Sequence, residues 1–259
     1  MEQNEIKRDN RKALPKYLLI LLVSGVIGGV LGFASGWMGH DSLSETVIAA
    51  VNAGLTAVAP WTIPVTSVVS LAVILGLYRS ARGLFEGWDG EDEDVMDQAD
   101  EKLNWALMVT TAQLILDMFF FAMVVLYGTG WAALIGVGAF LVFVFLLVFA
   151  QQKVVDLTRR MNPEKRGSVY DVNFKKKWFE SCDEAERNQI GWAAYKAFNV
   201  VNVASPLMWV VFVLLSFAFN VNTLLPALAV CLLWGLLNVS YCLECIRLGR
   251  RKHPGGDAV

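Results

Sequence analysis

Long apolar runs separated by short polar segments dominate this chain. Apolar residues fill about 17–38, 64–85, 103–127, 131–154, 197–219 and 224–248, and charge is concentrated in the stretches between and beyond them and at the ends of the runs, with Asp117 the exception. Each run is about 20 residues or more, the length an α-helix needs to cross the hydrocarbon core of a bilayer. Backbone N–H and C=O groups in lipid have to be satisfied within the segment, so each run is expected to be a helix. The pattern predicts an all-α, polytopic membrane protein of six transmembrane helices arranged as three hairpins, at 17–85, 103–154 and 197–248. Residues 1–16 and 249–259 are tails, and 155–196 is the largest polar loop.

The segment between the first two runs has its own pattern. Asp41-Ser42-Leu43-Ser44-Glu45 offers side chains suited to a helix N-cap. The apolar stretch that follows, about 45–59, is too short to span and is bounded by Pro60 and Pro64. A separate helix lying on or re-entering the outer surface is the expectation, with the second span starting at Pro64.

Composition agrees with this reading. The chain is 56% hydrophobic and only 18% charged, with a mean hydropathy of +0.48. The first run is long for a signal-peptide core and has no clear A-x-A site, so it reads as an uncleaved span. Charge then sets the orientation. With both termini in the cytoplasm, the outer loops at 39–63, 128–130 and 220–223 hold no lysine or arginine, and all 22 basic residues lie inside. That is the asymmetry of the positive-inside rule, and it places both ends in the cytoplasm. Trp37, Trp61, Tyr127 and Trp131 fall at outer ends and Trp105 and Trp178 near the inner face, as an aromatic belt would.

Candidate chemistry is sparse. Gly25, Gly28, Gly29, Gly32 and Gly36 give the first run linked G-x-x-x-G steps. Such steps form a flat groove for close helix packing. Internal packing is favoured, because five other helices are available, but the spacing leaves the partner open and the oligomeric state unassigned. Asp117 is the one acid deep within a run. Thr110, Gln113 and Asp117 recur at three- and four-residue spacing and share one helix face. A carboxyl in the membrane is by default a functional candidate, here a proton- or cation-responsive site. The structural alternative is a protonated carboxyl hydrogen-bonded to Ser67 or Ser70. Asn199 and Asn202 on the fifth run and Asn238 on the sixth form a second polar group. Hydrogen-bonded glue between those two helices is its default role. Pro206, one turn beyond Asn202, could kink the fifth helix and turn the stripe toward a cavity.

Cys242-Leu-Glu-Cys245 is a C-x-x-C, but a zinc site usually needs four ligands, and Cys182 and His253 make a poor second pair. No metal, cofactor or catalytic set is assigned. Nine acids lie within Glu86–Glu101 without the spacing of a calcium loop, a composition expected to be solvated.

The loop after the fourth run carries Lys175, Lys176, Lys177 and Trp178, followed by Phe179. A basic-aromatic patch next to the inner leaflet suits anionic lipid, with a cytoplasmic or membrane protein partner as the sharper alternative. No motif for nucleic-acid binding accompanies the charge. Ser181 with Glu184 three residues on reads as a capping box. The hairpins end alike in basic residues, and 98–106 echoes 182–193, so a repeated unit is conceivable.

Glu164-Lys-Arg-Gly-Ser-Val-Tyr, Phe174-Lys-Lys-Lys-Trp178, Ser181-Cys-Asp-Glu-Ala-Glu-Arg187 and Ala194-Tyr-Lys-Ala-Phe198 resemble a family of uncharacterised six-helix membrane proteins of Gram-positive bacteria, catalogued as a domain of unknown function. The resemblance implies topology and source, and it transfers no activity or site residue. The leading expectation is a non-enzymatic regulatory, sensory or accessory membrane component that acts through its cytoplasmic loops. The alternative is a small-solute or ion transporter or channel using Asp117. An intramembrane enzyme is third, since both histidines, His40 and His253, lie outside the runs.

Overall fold

In a computed structural model, the described residues are 41–219 and 221–252, with isolated positions between 15 and 29. Six helices make up this part: α1 (Asp41–Glu86), α2 (Glu93–Tyr127), α3 (Gly130–Met161), α4 (Phe174–Glu180), α5 (Glu184–Phe219) and α6 (Leu224–Lys252). All but α4 are long and apolar enough to cross a membrane. The expected first span, 17–38, lies for the most part outside the described residues, as do Trp37, His40 and His253.

The expected break between an outer segment at 45–59 and a span from Pro64 is absent. α1 is one helix of 46 residues with Pro60 and Pro64 inside it. Each proline removes an N–H donor and crowds the preceding turn, but hydroxyls around them bond neighbouring carbonyls. Thr62 Oγ1 donates to the carbonyl of Ala59 at 2.9 Å, and Thr66 Oγ1 to that of Thr62 at 2.7 Å. The carbonyls that lose their donor are those of Thr56 and Pro60, four residues before each proline, and α1 nevertheless continues through both. At 1.5 Å per residue α1 is about 69 Å long, roughly twice the hydrocarbon thickness. The other long helices also outrun their apolar cores. α2 starts ten residues before the expected span at 103, because Asp92 caps it by accepting from the Asp94 N–H at 3.0 Å and Glu93 and Asp94 fill its first turn. Acids at that end complement the helix dipole. Much of the acidic run is thus helix, and most of its residues are exposed.

The residues divide into two compact units, Ile48–Ile190 in one and Met1–Val47 with Gly191–Val259 in the other. In the first unit α2 and α3 are joined by Gly128-Thr129 and pack closely. The buried residues of α2 include Ala99, Leu103, Ala106, Thr110, Gln113, Asp117 and Val124. Their alternation of three- and four-residue steps is a seam of the kind that packs helices side by side. Two apolar clusters result. One holds Ile74, Ala81, Ala99, Leu103, Ala106, Leu147, Val154 and Leu157, and the other Ala59, Ile63, Met123 and Val124. Between them in sequence on both α1 and α2 lie the buried polar residues Ser67, Gln113 and Asp117. Large apolar side chains point outward instead, among them Leu126 at 76% and Trp131 at 81% exposure. This polar-inside, apolar-outside distribution suits a lipid solvent.

In the second unit α5 runs unbroken through Pro206. The turn to α6 is closed by Thr223, whose hydroxyl donates to the Phe212 carbonyl at 2.7 Å, and by Asn222, whose side chain accepts from the Leu224 N–H at 3.0 Å. Phe198 stacks on Tyr241, with ring centroids 4.5 Å apart.

Among the described residues, the closest glycine contacts within the helices lie in the hairpin of α2 and α3. A Cβ on Gly25 or Gly29 would meet nothing within 4 Å, and Gly28, Gly32 and Gly36 are outside the described residues. At Gly136 of α3 a Cβ would lie 2.6 Å from Cγ1 of Val124, itself buried and β-branched. Replacing Gly136 with valine is therefore expected to lower stability by about 1–3 kcal/mol through overpacking. Gly138→Ala, where a Cβ meets nothing within 4 Å, should be neutral or slightly stabilising. Thermal unfolding of both variants in detergent micelles checks this pair.

Candidate functional site

Two polar constructions stand out in the first unit, one within the helices and one at the end of α3. The first is centred on Asp117, which is fully buried with Ser67 and Thr110, while Gln113 is 2% exposed. Ser67 Oγ donates to Asp117 Oδ1 at 3.0 Å, and Gln113 Nε2 donates to the same oxygen at 2.8 Å. Gln113 Nε2 also lies 3.0 Å from Thr66 Oγ1, and its Oε1 accepts from Ser70 Oγ at 2.8 Å. The hydroxyls of α1 and the amide and carboxyl of α2 thus form one network in which Gln113 is the hub. Thr110 shares the buried face but turns its hydroxyl to the Ala106 carbonyl of its own helix at 2.7 Å. Of the two serines expected as partners of Asp117, Ser67 is the direct one, and Ser70 acts through Gln113.

The asparagine group in the second unit is smaller than expected. Asn202 Oδ1 accepts from Asn238 Nδ2 at 2.8 Å and from Trp234 Nε1 at 2.7 Å, which links α5 to α6. Asn199 takes no part: its amide donates to the Tyr195 carbonyl one turn back on its own helix, and it is exposed. Trp234 had no polar signal beyond an indole in an apolar run, and it replaces Asn199 in the cluster.

The second construction in the first unit is the segment from Asn162 to Arg187. It is ordered by side chains at nearly every turn. Gln152 of α3 accepts at Oε1 from the Val169 N–H at 2.7 Å and from Ser168 Oγ at 3.0 Å, and it donates to Asp156 Oδ1 at 2.7 Å. Ser181 Oγ accepts from the Arg166 N–H at 3.1 Å. Lys165 is buried, ion-paired with Glu186, with the Cys182 sulfur 3.8 Å away. Gly167 has φ +125°, a conformation side chains rarely adopt, and a Cβ there would fall 2.9 Å from the ring of Phe174.

The capping box that opens α5 is two residues along from the expected Ser181–Glu184 pair. Asp183 Oδ1 accepts from the Glu186 N–H at 2.8 Å, and Glu186 Oε2 accepts from the Asp183 N–H at 3.0 Å. Both acids fit the reciprocal geometry, and Ser181 is engaged with Arg166 and the Trp178 carbonyl instead. Arg187 closes the other side, its guanidinium donating to the Glu180 and Phe179 carbonyls at 2.9 and 3.3 Å.

α4 carries the basic-aromatic residues. Lys177 pairs with Asp171, Lys176 is 3.8 Å from Glu180, and Lys175 has no ion-pair partner among the described residues. Trp178 is half-buried against Phe174, with ring centroids 5.6 Å apart, so Phe179 at 46% exposure is the aromatic that faces out. The cysteines of the C-x-x-C, Cys242 and Cys245, are exposed and free. Among the described residues no group of three His, Cys, Asp or Glu is placed to hold a metal ion.

A family model for a protein of unknown function, DUF3169, matches residues 11–245. This chain belongs to the DUF3169 family. The match takes in α1 to α5, nearly all the apolar part of α6, and the whole of the Asn162–Arg187 segment. No curated protein shows significant similarity to the chain, and no solved structure does. The DUF3169 chain is thus an all-α integral membrane protein with two built polar sites, and the family description adds no chemistry to them.

Two outcomes follow from the geometry. Asp117→Asn keeps an acceptor for Ser67 and Gln113 and should leave folding intact. Asp117→Leu leaves the Ser67 hydroxyl without its acceptor, while Gln113 Nε2 keeps Thr66, and should cost about 1–3 kcal/mol, the penalty for a buried polar group left unpaired. Comparing the two by unfolding in detergent checks the network. At Lys165, burial acts to lower the ammonium pKa, but the hydrogen bond to Glu186 together with the charges of Cys182, Glu186 and Glu164 outweighs it, and the group sits above its ordinary value. A raised folded-state pKa contributes stability that is complete below the unfolded value near 10.5 and is lost only as pH rises through the folded one. Proteolysis of the Asn162–Arg187 segment should therefore show no lysine-driven step until pH exceeds about 10.5, and Lys165→Met should remove the alkaline step.

Proposed function

We propose that this DUF3169 protein is a non-enzymatic membrane component, regulatory, sensory or accessory in role, acting through its cytoplasmic face with both termini inside. The observation that carries this reading is the Asn162–Arg187 segment. A plain connection between two spans needs none of the ties made by Gln152, Lys165, Ser181, Asp183, Glu186 and Arg187. Ordering a residue's backbone costs about 1–2 kcal/mol, so a connection held this firmly points to a use for its shape. The charge distribution supports the orientation, since all lysines and arginines then stay on the cytoplasmic side.

The transport alternative relies on Asp117. Its carboxyl has neutral partners, Ser67 and Gln113, and no surface exposed to solvent. A permeant ion or proton would have to open that network to reach it. The structural role of Asp117 is thus the better supported one.

Complementation of a strain lacking the gene separates the readings. Lys175→Glu combined with Lys176→Glu is expected to lose most complementing activity at unchanged membrane abundance, and Asp117→Asn to retain it. The reverse pattern, activity lost with Asp117→Asn and kept with the charge reversal, would overturn the proposal in favour of transport.

A further inference from the structure

The depth of the cytoplasmic segment can be read from one hydrogen-bonded residue. In α3, no charge interrupts Trp131 to Gln151, Gln152 follows, and Lys153 is the first charged residue. Gln152 thus stands where hydrocarbon gives way to head groups. α3 continues as helix to Met161, about 13 Å farther from the membrane. The chain then turns back, and the Gln152 side chain takes up Ser168 Oγ and the Val169 N–H. Those bonds return the backbone to the level of Gln152.

What comes next along the chain is unusual for a water-facing surface. Tyr170 is 63% exposed and Val172 is 101% exposed. α4 follows with Phe174 and Trp178 paired on one face, against Gly167. Lys175, Lys176 and Phe179 are left exposed on the rest of its surface. The Arg187 guanidinium stands 5.7 Å over the Phe179 ring and adds a third cation beside that face. Exposed apolar side chains interspersed with cations, at the depth of the head groups, match the chemistry of an interfacial anchor. Apolar groups enter the acyl boundary and cations meet lipid phosphates.

We propose that Tyr170–Phe179 is an anionic-lipid contact, held at head-group depth by Gln152, through which the composition of the inner leaflet acts on the cytoplasmic segment. The proposal rests on the cytoplasmic placing of that segment argued above, and it names the ligand class as an anionic phospholipid surface.

The test uses the full chain in nanodiscs, with Val172→Cys carrying an environment-sensitive NBD label. Cys231, Cys242 and Cys245 are exposed and are replaced by alanine, whereas Cys182 is buried and stays. In discs containing phosphatidylglycerol, the label's emission is expected to shift to the blue relative to discs of phosphatidylcholine, and lipids labelled near the head group should quench it. Each basic residue near an anionic surface is worth about fivefold in occupancy, so Lys175→Glu with Lys176→Glu should remove most of the shift. Gln152→Ala should reduce it with the lysines intact, since the segment then loses its depth. Emission that is the same in both lipids, or a shift indifferent to the lysine reversal, overturns the lipid contact. If the lysine-reversed chain nevertheless failed to complement, the cytoplasmic reading would stand and a protein partner would take the lipid's place.

Discussion

A carboxyl group in hydrocarbon has no water to turn to, and the first unit of this protein is arranged around that fact. Asp117 finds its partners in Ser67 from α1 and Gln113 from its own helix. Gln113 in turn gathers Thr66 and Ser70. Lipid chains are as apolar as leucine, so apolar burial alone gives two membrane helices little reason to associate. A shared hydrogen-bond network gives α1 a specific place on α2. A slip of one residue would rotate Ser67 off the face that carries Asp117. The apolar clusters on either side of this layer then pack in the register it sets. The α2–α3 contact works differently. There a glycine, Gly136, lets a rigid valine, Val124, approach to van der Waals contact.

The same accounting governs the ends of the helices, while α1 continues through Pro60 and Pro64 even though they remove the donors for the Thr56 and Pro60 carbonyls. At the polar ends of the helices, water is available and the constraint changes. Helices continue there for as long as caps and dipole-matched charges favour them, which is why α2 begins at Glu93 and α5 at Glu184, well outside the apolar runs. A hydropathy pattern reports where a helix meets lipid. It does not report where the helix stops.

This explains which features were legible in the sequence. The spans from 103 onward follow from apolar run length, and Asp117 stood out because an acid amid apolar residues has no ordinary explanation there. The pairing of Asp117 with Ser67 was within reach, since short hydroxyls on the neighbouring helix were candidates. The continuity of α1 was not, because proline statistics come from helices in water, and membrane helices tolerate proline more readily. The role of Gly136 was hidden as well. A single glycine carries no spacing signal, whereas the linked glycines of the first run do, and the two described ones, Gly25 and Gly29, meet no neighbour. In the polar segment the composition identified a basic-aromatic patch, but the partners that shape it come from residues distant in sequence. Gln152 and Val169 are 17 apart, and Lys165 and Glu186 are 21 apart.

The two polar constructions differ in what they leave unused, and that difference weighs on function. Around Asp117 each polar atom is taken up within the protein, and no buried side-chain N or O among the described residues lacks a partner. A satisfied network holds helices together and offers a ligand nothing until it is broken. In Asn162–Arg187 the backbone ties are equally complete, yet they present Val172, Phe179, Lys175 and Lys176 to the outside. A surface of that composition gains by meeting something apolar and anionic. The intramembrane network thus accounts for the architecture, and the unspent interaction energy of the first unit lies in the segment that Gln152 ties to α3.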